Sequence, residues 1–166
     1  MIEYFKTLQD QILNKTLYTN KYKTNSKGII LACYFNPYNS SLRHFIFMKW
    51  YETIKHLPHY IIEGTYKSDK YNLTDVDISN KMIINLESRL WHKEALLNKG
   101  IEELSKRKNK PKFVFWLDTD IRFTNLNWFN DSCEKLESGA NFIQPFKIIK
   151  HLKKDEDFLT EKIPES

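Results

Sequence analysis

Two cysteines, four glycines and five prolines are few for a chain of 166 residues. Cys33 and Cys133 cannot build the disulfide framework of a small secreted domain, and such sparing use fits a reducing compartment. So little glycine and proline excludes collagen-like and linker-like chains. Arginine is also scarce: among 26 basic residues only Arg43, Arg89, Arg107 and Arg122 are arginines. Arginine is the side chain that reads phosphates and bases bidentately, so a net charge of +5 permits a polyanionic partner without demanding one. No long apolar run is present. The longest, Ile29–Phe35, falls far short of the ~20 residues of a membrane-spanning helix. Glu3, Lys6 and Asp10 near the start do not fit a signal peptide. These absences lead to the expectation of a soluble, cytoplasmic protein.

Aromatic residues, by contrast, make up 14% of the chain, which argues against wholesale disorder. The length suits one domain with a substantial core. Residues 1–27 read as an appended helix, with Phe5, Leu8, Ile12 and Leu13 at helical spacing, followed by a polar linker. Ile29–Phe35 reads as a buried strand with Cys33 as a core thiol, stopped by Asn36-Pro37. Ser40 or Ser41 caps a helix whose expected inner face is Leu42, Phe45, Ile46, Trp50, Ile54 and Leu57, ended by Pro58. A short strand follows at Tyr60–Ile62, reaching Glu63-Gly64, then a polar loop over 67–81 and a strand at Met82–Leu86. Ser88 is expected to cap a helix that buries Leu90, Leu97, Ile101 and Leu104. Phe113–Leu117 reads as a fully buried strand, Trp128–Leu136 as a helix and Ala140–Phe146 as a last strand. Residues 28–150 thus form the domain, and 151–166 a charged tail. Strands alternating with helices predict an α/β fold with a mainly parallel central sheet flanked by helices. In such sheets ligands sit beyond the carboxyl ends of the strands, which selects Asn36-Pro37, Glu63, Glu87 and Asp118–Asp120.

Asp118-Thr119-Asp120 closes the most apolar strand pattern. If both carboxylates lie on one strand face, ~4 Å apart, they repel by ~4 kcal/mol at an effective dielectric of 20. A shared proton, a basic neighbour or a divalent cation can offset that. Mg²⁺ or Mn²⁺ suits the motif, since these ions take one or two carboxylates and complete their shell with phosphate oxygens and water. On spacing alone Lys93 reads as a solvated helix lysine, Trp91 as core, and Gly100 as a site of close packing. His44, His56, His59 and His92 show no metal-ligand spacing, and His151, after the last expected strand, reads as part of a solvated tail rather than as a third metal ligand.

Asn36-Pro37, Arg43, Glu63, Leu90-Trp91-His92-Lys93-Glu94, Leu97-Asn98-Lys99-Gly100-Ile101, Trp116–Asp120 and Gln144-Pro145-Phe146 occur in an order and spacing that resemble nucleotide-sugar glycosyltransferases of the GT-A fold. The likeness is to a bacterial and viral subgroup with an NP turn, an LWxKE…LNxGI helix and a D-x-D motif. It implies a GT-A, Rossmann-like sandwich. It also implies that Asn36, Pro37 and Glu63 border the nucleoside, and that Trp91, Lys93, Asn98 and Asp118 face the base, ribose or sugar. Asp120, assisted by Asp118, would hold Mn²⁺ or Mg²⁺. The implied donor is a nucleoside-diphosphate sugar. The implied acceptor is a hydroxyl on a glycan, a protein or a lipid-linked molecule.

Phosphatases of the haloacid-dehalogenase type share D-x-D at a strand end, but Arg122 breaks their pattern and only 46 residues follow Asp120. No general base is identifiable among the acidic residues after the motif. The resemblance therefore covers a donor-binding part better than a complete catalyst. Two alternatives follow: a catalytically silent nucleotide-sugar-binding subunit, or half of a split enzyme whose acceptor site a second chain completes. A basic nucleic-acid-binding module is the third reading, disfavoured by scarce arginine and by aromatics that follow the apolar pattern.

Overall fold

The computed structural model describes residues 27–66 and 69–151. The helix expected around Phe5–Leu13 and most of the charged tail lie outside the described residues. Four strands and three helices alternate: β1 (Gly28–Phe35), α1 (Ser41–Ile54), β2 (His59–Thr65), β3 (Lys81–Asn85), α2 (Lys93–Lys106), β4 (Phe113–Trp116) and α3 (Trp128–Glu137). All strand pairs are parallel, in the order β3-β2-β1-β4. The chain is mixed α/β with helices on both faces of the sheet.

Each element has a local cause. Pro37 follows Asn36 in a turn closed by the Asn39 amide donating to the Asn36 carbonyl at 3.1 Å, the position a fixed proline φ suits. Asn39 has φ of 51°, a conformation asparagine tolerates better than most residues. The Ser40 side chain then accepts from the Arg43 amide and caps α1. At the other end of the domain α3 stops in a Schellman arrangement. The amides of Gly139 and Ala140 donate to the carbonyls of Leu136 and Lys135, with Gly139 at φ 111°.

Strand alternation divides the core in two. Ile30, Ala32, Tyr34, Ile61 and Phe115 face α1 and α3, while Ile29, Leu31, Phe35 and Ile62 face α2. Gly100 lets α2 approach closely: a Cβ there would stand 2.6 Å from Leu31 Cδ1 and 3.0 Å from Ile62 Cγ1. The glycine expected to mark close packing does so.

Four expectations are corrected. Ala140–Phe146 is not a strand; Pro145 has no N–H to give a ladder, and Phe142 is left 82% exposed. The inner face of α1 is Phe47, Trp50, Tyr51 and Ile54, whereas Leu42, Phe45 and Ile46 are exposed. This helix is apolar most of the way round, so its periodicity does not select one face. α2 begins at Lys93 rather than after Ser88, because His92 Nε2 lies 3.0 Å from the Ser88 carbonyl in a preceding turn; Leu90 and Ile101 are exposed. Finally, β4 is buried on one face only. It is an edge strand, and α2 packs against β1 and β2, leaving Val114 and Trp116 open.

Candidate functional site

The order β3-β2-β1-β4 reverses direction between β1 and β4, so the crevice beyond their carboxyl ends is the topological switch point of the sheet. β1 delivers Cys33 and Phe35 there, and β4 delivers Trp116 and, just past its end, Asp118. The start of α2 adds Trp91 and Lys93, and α1 adds Arg43.

These side chains meet. Lys93 Nζ forms an ion pair with Asp118 Oδ1 and sits 5.9 Å from the centre of the Trp116 ring. Trp91 meets Phe35 edge to face at 5.2 Å between centroids, and the Arg43 guanidinium lies 5.0 Å from the Phe35 ring. Trp91 is 64% and Trp116 56% exposed, so both indole faces are open to a ligand, against the expectation of Trp91 as core. Cys33 is partly buried beneath this group. Burial pushes its thiol up to about 11, against the opposing pull of Lys93, so it is an inert neighbour and not a nucleophile at neutral pH.

The charge on Asp118 is thus offset by a basic neighbour. The strand ends before Asp118, and Asp120 stands in the following turn, so strand alternation does not govern the pair. Asp120 is exposed and makes no hydrogen bond or ion pair with a described residue. Asp120 and the second oxygen of Asp118 are the carboxylate atoms left for an ion of the Mg²⁺ or Mn²⁺ type, which takes one or two carboxylates and otherwise relies on substrate phosphates and water. Among the described residues no group of three or more His, Cys, Asp or Glu side chains converges.

Four of the residues nominated from the sequence, Asn36, Pro37, Asn98 and Glu63, are not brought into this group. The Asn36 side chain is buried and closes the turn: Oδ1 accepts from the Ser40 amide, and Nδ2 donates to the Ser40 carbonyl, both at 2.9 Å. Its polar atoms serve the fold, and with Pro37, also buried, it shapes the rim only through the backbone. Asn98 lies on the exposed side of α2, more than a turn beyond Lys93. Glu63 faces the opposite side of the sheet, toward α1 and the loop 69–80. It is 1% exposed; Oε1 accepts from the Leu73 amide at 2.8 Å and Oε2 has no partner among the described residues.

Glu63 is therefore a loop anchor. It works beside Lys81, whose amine donates to the carbonyls of Leu73, Thr74 and Val76. Burial raises the Glu63 carboxyl above its usual 4.5, opposed by the Leu73 amide and by Lys81. A raised carboxyl pKa means that the folded state disfavours the charged form. The associated stability is complete below the unfolded pKa and is lost as pH rises through the folded one. Glu63→Gln keeps an acceptor for Leu73 and cannot ionise. Melting curves of both proteins from acid to neutral pH should show the variant gaining on the wild type as pH rises; a constant difference would contradict an ionising Glu63.

Arg43, Phe35 and Trp116 were not nominated as site residues from spacing. Their signal was available only through pairing: once β4 lies beside β1, alternation puts Cys33, Phe35 and Trp116 on one face. A separate pocket of about 410 Å³ lies between α3 and residues 143–147, lined by Asn125, Trp128, Asp131, Ser132, Lys135 and Gln144 among others. Of these residues the sequence singles out Gln144 alone, in the Gln144-Pro145-Phe146 segment of the resemblance, without assigning it a role. No described helix is long and apolar enough to cross a membrane. No protein-family model matches this chain, and neither a curated protein nor a solved structure matches it.

Proposed function

We propose that the chain is the donor-binding part of a metal-dependent glycosyltransferase of the GT-A type, taking a nucleoside-diphosphate sugar. The observation that carries this reading is the Lys93–Asp118 pair, set at the switch point between two exposed tryptophans. Ligand sites in open α/β sheets occur at that position. Trp91 offers a face for a base or sugar ring. Lys93 and Arg43 supply positive charge for a diphosphate. Asp120, with the second oxygen of Asp118, would hold Mn²⁺ or Mg²⁺. When bound, such an ion stabilises the negative charge that develops on a leaving diphosphate. Lys93 acts in the same sense and is already oriented by Asp118.

The two tryptophans report on this site directly. Titration with UDP, GDP, CDP and TDP, each with and without Mn²⁺, should quench or shift tryptophan emission for one of them. Trp91→Phe should remove part of that response and leave the share of Trp116, while Trp50 and Trp128, both buried, contribute only a constant background emission. An emission spectrum unmoved by all four nucleotides would count against a donor site here.

The same Lys93–Asp118 pair also favours a second reading, a nucleotide binder that works without metal, since the carboxylate is already balanced. It predicts a response of equal size with and without Mn²⁺.

A further inference from the structure

The cavity between α3 and residues 143–147 is lined on one side by a single helix face. Trp128, Asp131, Ser132 and Lys135 recur at spacings of three and four, so they stand together along α3. Trp128 also fixes the side of the sheet on which the cavity lies. Its ring meets Phe115 edge to face at 5.7 Å, and Phe115 belongs to the core shared with α1 and α3. The crevice residue Trp116 follows Phe115 in β4 and takes the other face. The cavity and the crevice are therefore separate.

The polar groups that the cavity leaves free are donors. Trp128 is 6% and Ser132 4% exposed, yet neither the indole N–H nor the hydroxyl bonds to a described residue. Buried polar groups are ordinarily paired. Asp131 and Lys135, four apart on one helix, are spaced for an ion pair, but none forms. The carboxylate is already taken. Asn125 Nδ2 donates to Asp131 Oδ2 at 2.7 Å, and Asn127 Nδ2 donates to Oδ1. That leaves the Lys135 amine without a partner among the described residues, and the amine of Lys147 on the facing wall is equally free. The rest of that wall is largely apolar, with Ile143, Pro145 and Phe146. Two ammonium groups, a hydroxyl and an indole N–H call for a negatively charged, acceptor-rich head. The apolar wall calls for a hydrophobic body behind it. The volume, about 410 Å³, lies in the range of small-molecule sites.

We propose that this cavity binds a small organic anion, a phosphate or carboxylate head on an apolar ring or chain. The head is held by Lys135, Lys147, Ser132 and the Trp128 indole, and the body lies against Ile143 and Phe146. Lysine serves such a head as a point charge. The proposal does not depend on the donor reading, and its test uses no nucleotide.

The indole N–H signals of the four tryptophans in a nitrogen–proton correlation spectrum tell the two sites apart. Phenyl phosphate and benzoate are the probes, and the tighter of the two names the head. Titration should move the Trp128 signal to saturation. Lys135→Gln combined with Lys147→Gln changes only exposed residues, so the fold is kept, and it should weaken binding about tenfold or more. Ser132→Ala should weaken it less. A Trp128 signal that neither anion moves, while Trp91 and Trp116 respond, would place the anion at the crevice and overturn the proposal. Unchanged affinity in the double lysine variant would overturn it too. So would equal binding of uncharged benzyl alcohol, because the cavity would then select only for an apolar ring.

Discussion

Asp120→Ala should abolish the Mn²⁺-dependent part of the thermal stabilisation by a nucleoside diphosphate, and leave the unliganded melting temperature almost unchanged. The two halves of this expectation have different causes. Asp120 is exposed and bonds to no described residue, so its removal costs the fold little, within about 0.5 kcal/mol. A ligand present at 100 times its Kd adds ~2.7 kcal/mol, which for a chain of this size is a rise of about 5–11 °C. Loss of that rise is the larger effect by far. Asp118→Asn serves as the contrast, because it breaks the pair with Lys93, a side chain only 24% exposed, and so touches the apo protein as well. Scanning UDP, GDP, CDP and TDP identifies the base. If Asp120→Ala retains the full Mn²⁺-dependent rise, the ion is held elsewhere and the D-x-D assignment is wrong. If the wild type responds to none of the four, Asp118 and Lys93 form a structural pair and the donor reading falls.

How much of this was legible in the sequence depends on what each feature needs. Strand positions needed only local pattern: Ile29–Phe35 and Met82–Leu86 are each found within a residue. One cap behaved similarly, with Ser40 closing α1 by a short-range hydrogen bond, whereas Ser88 does not cap α2. What failed was everything set by distant partners. Phe113–Leu117 is apolar throughout, yet only tertiary packing decides that α2 covers β1 and β2 and leaves Val114 and Trp116 bare. Ala140–Phe146 has strand-like residues, but Pro145 and the turn at Gly139 leave it unpaired.

The candidate site divides the same way. Lys93, Trp91 and Asp118 were nominated and converge. Asn36 and Glu63 were nominated too, but their side chains hold a turn and a loop, and no spacing rule distinguishes a buried polar anchor from a ligand contact. The need to offset the charge of Asp118 was readable from its neighbour two residues on. The means, a lysine 25 positions earlier in the chain, was not. Arginine scarcity retains its meaning here: of the four, Arg43 alone is drawn against Phe35 at the crevice.

Gly100→Val is the substitution expected to cost the fold most, and it tests packing and site together. Even a single added carbon would sit 2.6 Å from Leu31 Cδ1, and Leu31 is fully enclosed, so the methyl has little room to yield. Alanine recovers ~1 kcal/mol of helix propensity, which offsets part of this crowding, so Gly100→Ala should destabilise less than valine. Valine adds two further methyls against Leu31 and Ile62, and overpacking of that kind costs about 1–3 kcal/mol or more. At this chain length a loss of about 3 kcal/mol lowers the melting temperature by about 6–12 °C. The relief available to the protein is to lift α2 from the sheet. Lys93 is the first residue of α2, and its partner Asp118 stands on the chain leaving β4. Lifting the helix therefore separates the pair. Nucleotide response should fall in Gly100→Val at temperatures where the protein is still folded, and should fall less in Gly100→Ala. A valine variant that melts with the wild type would mean that α2 does not pack on β1 and β2 through Gly100. A valine variant that is less stable but responds fully to nucleotide would separate the Lys93–Asp118 pair from the binding site.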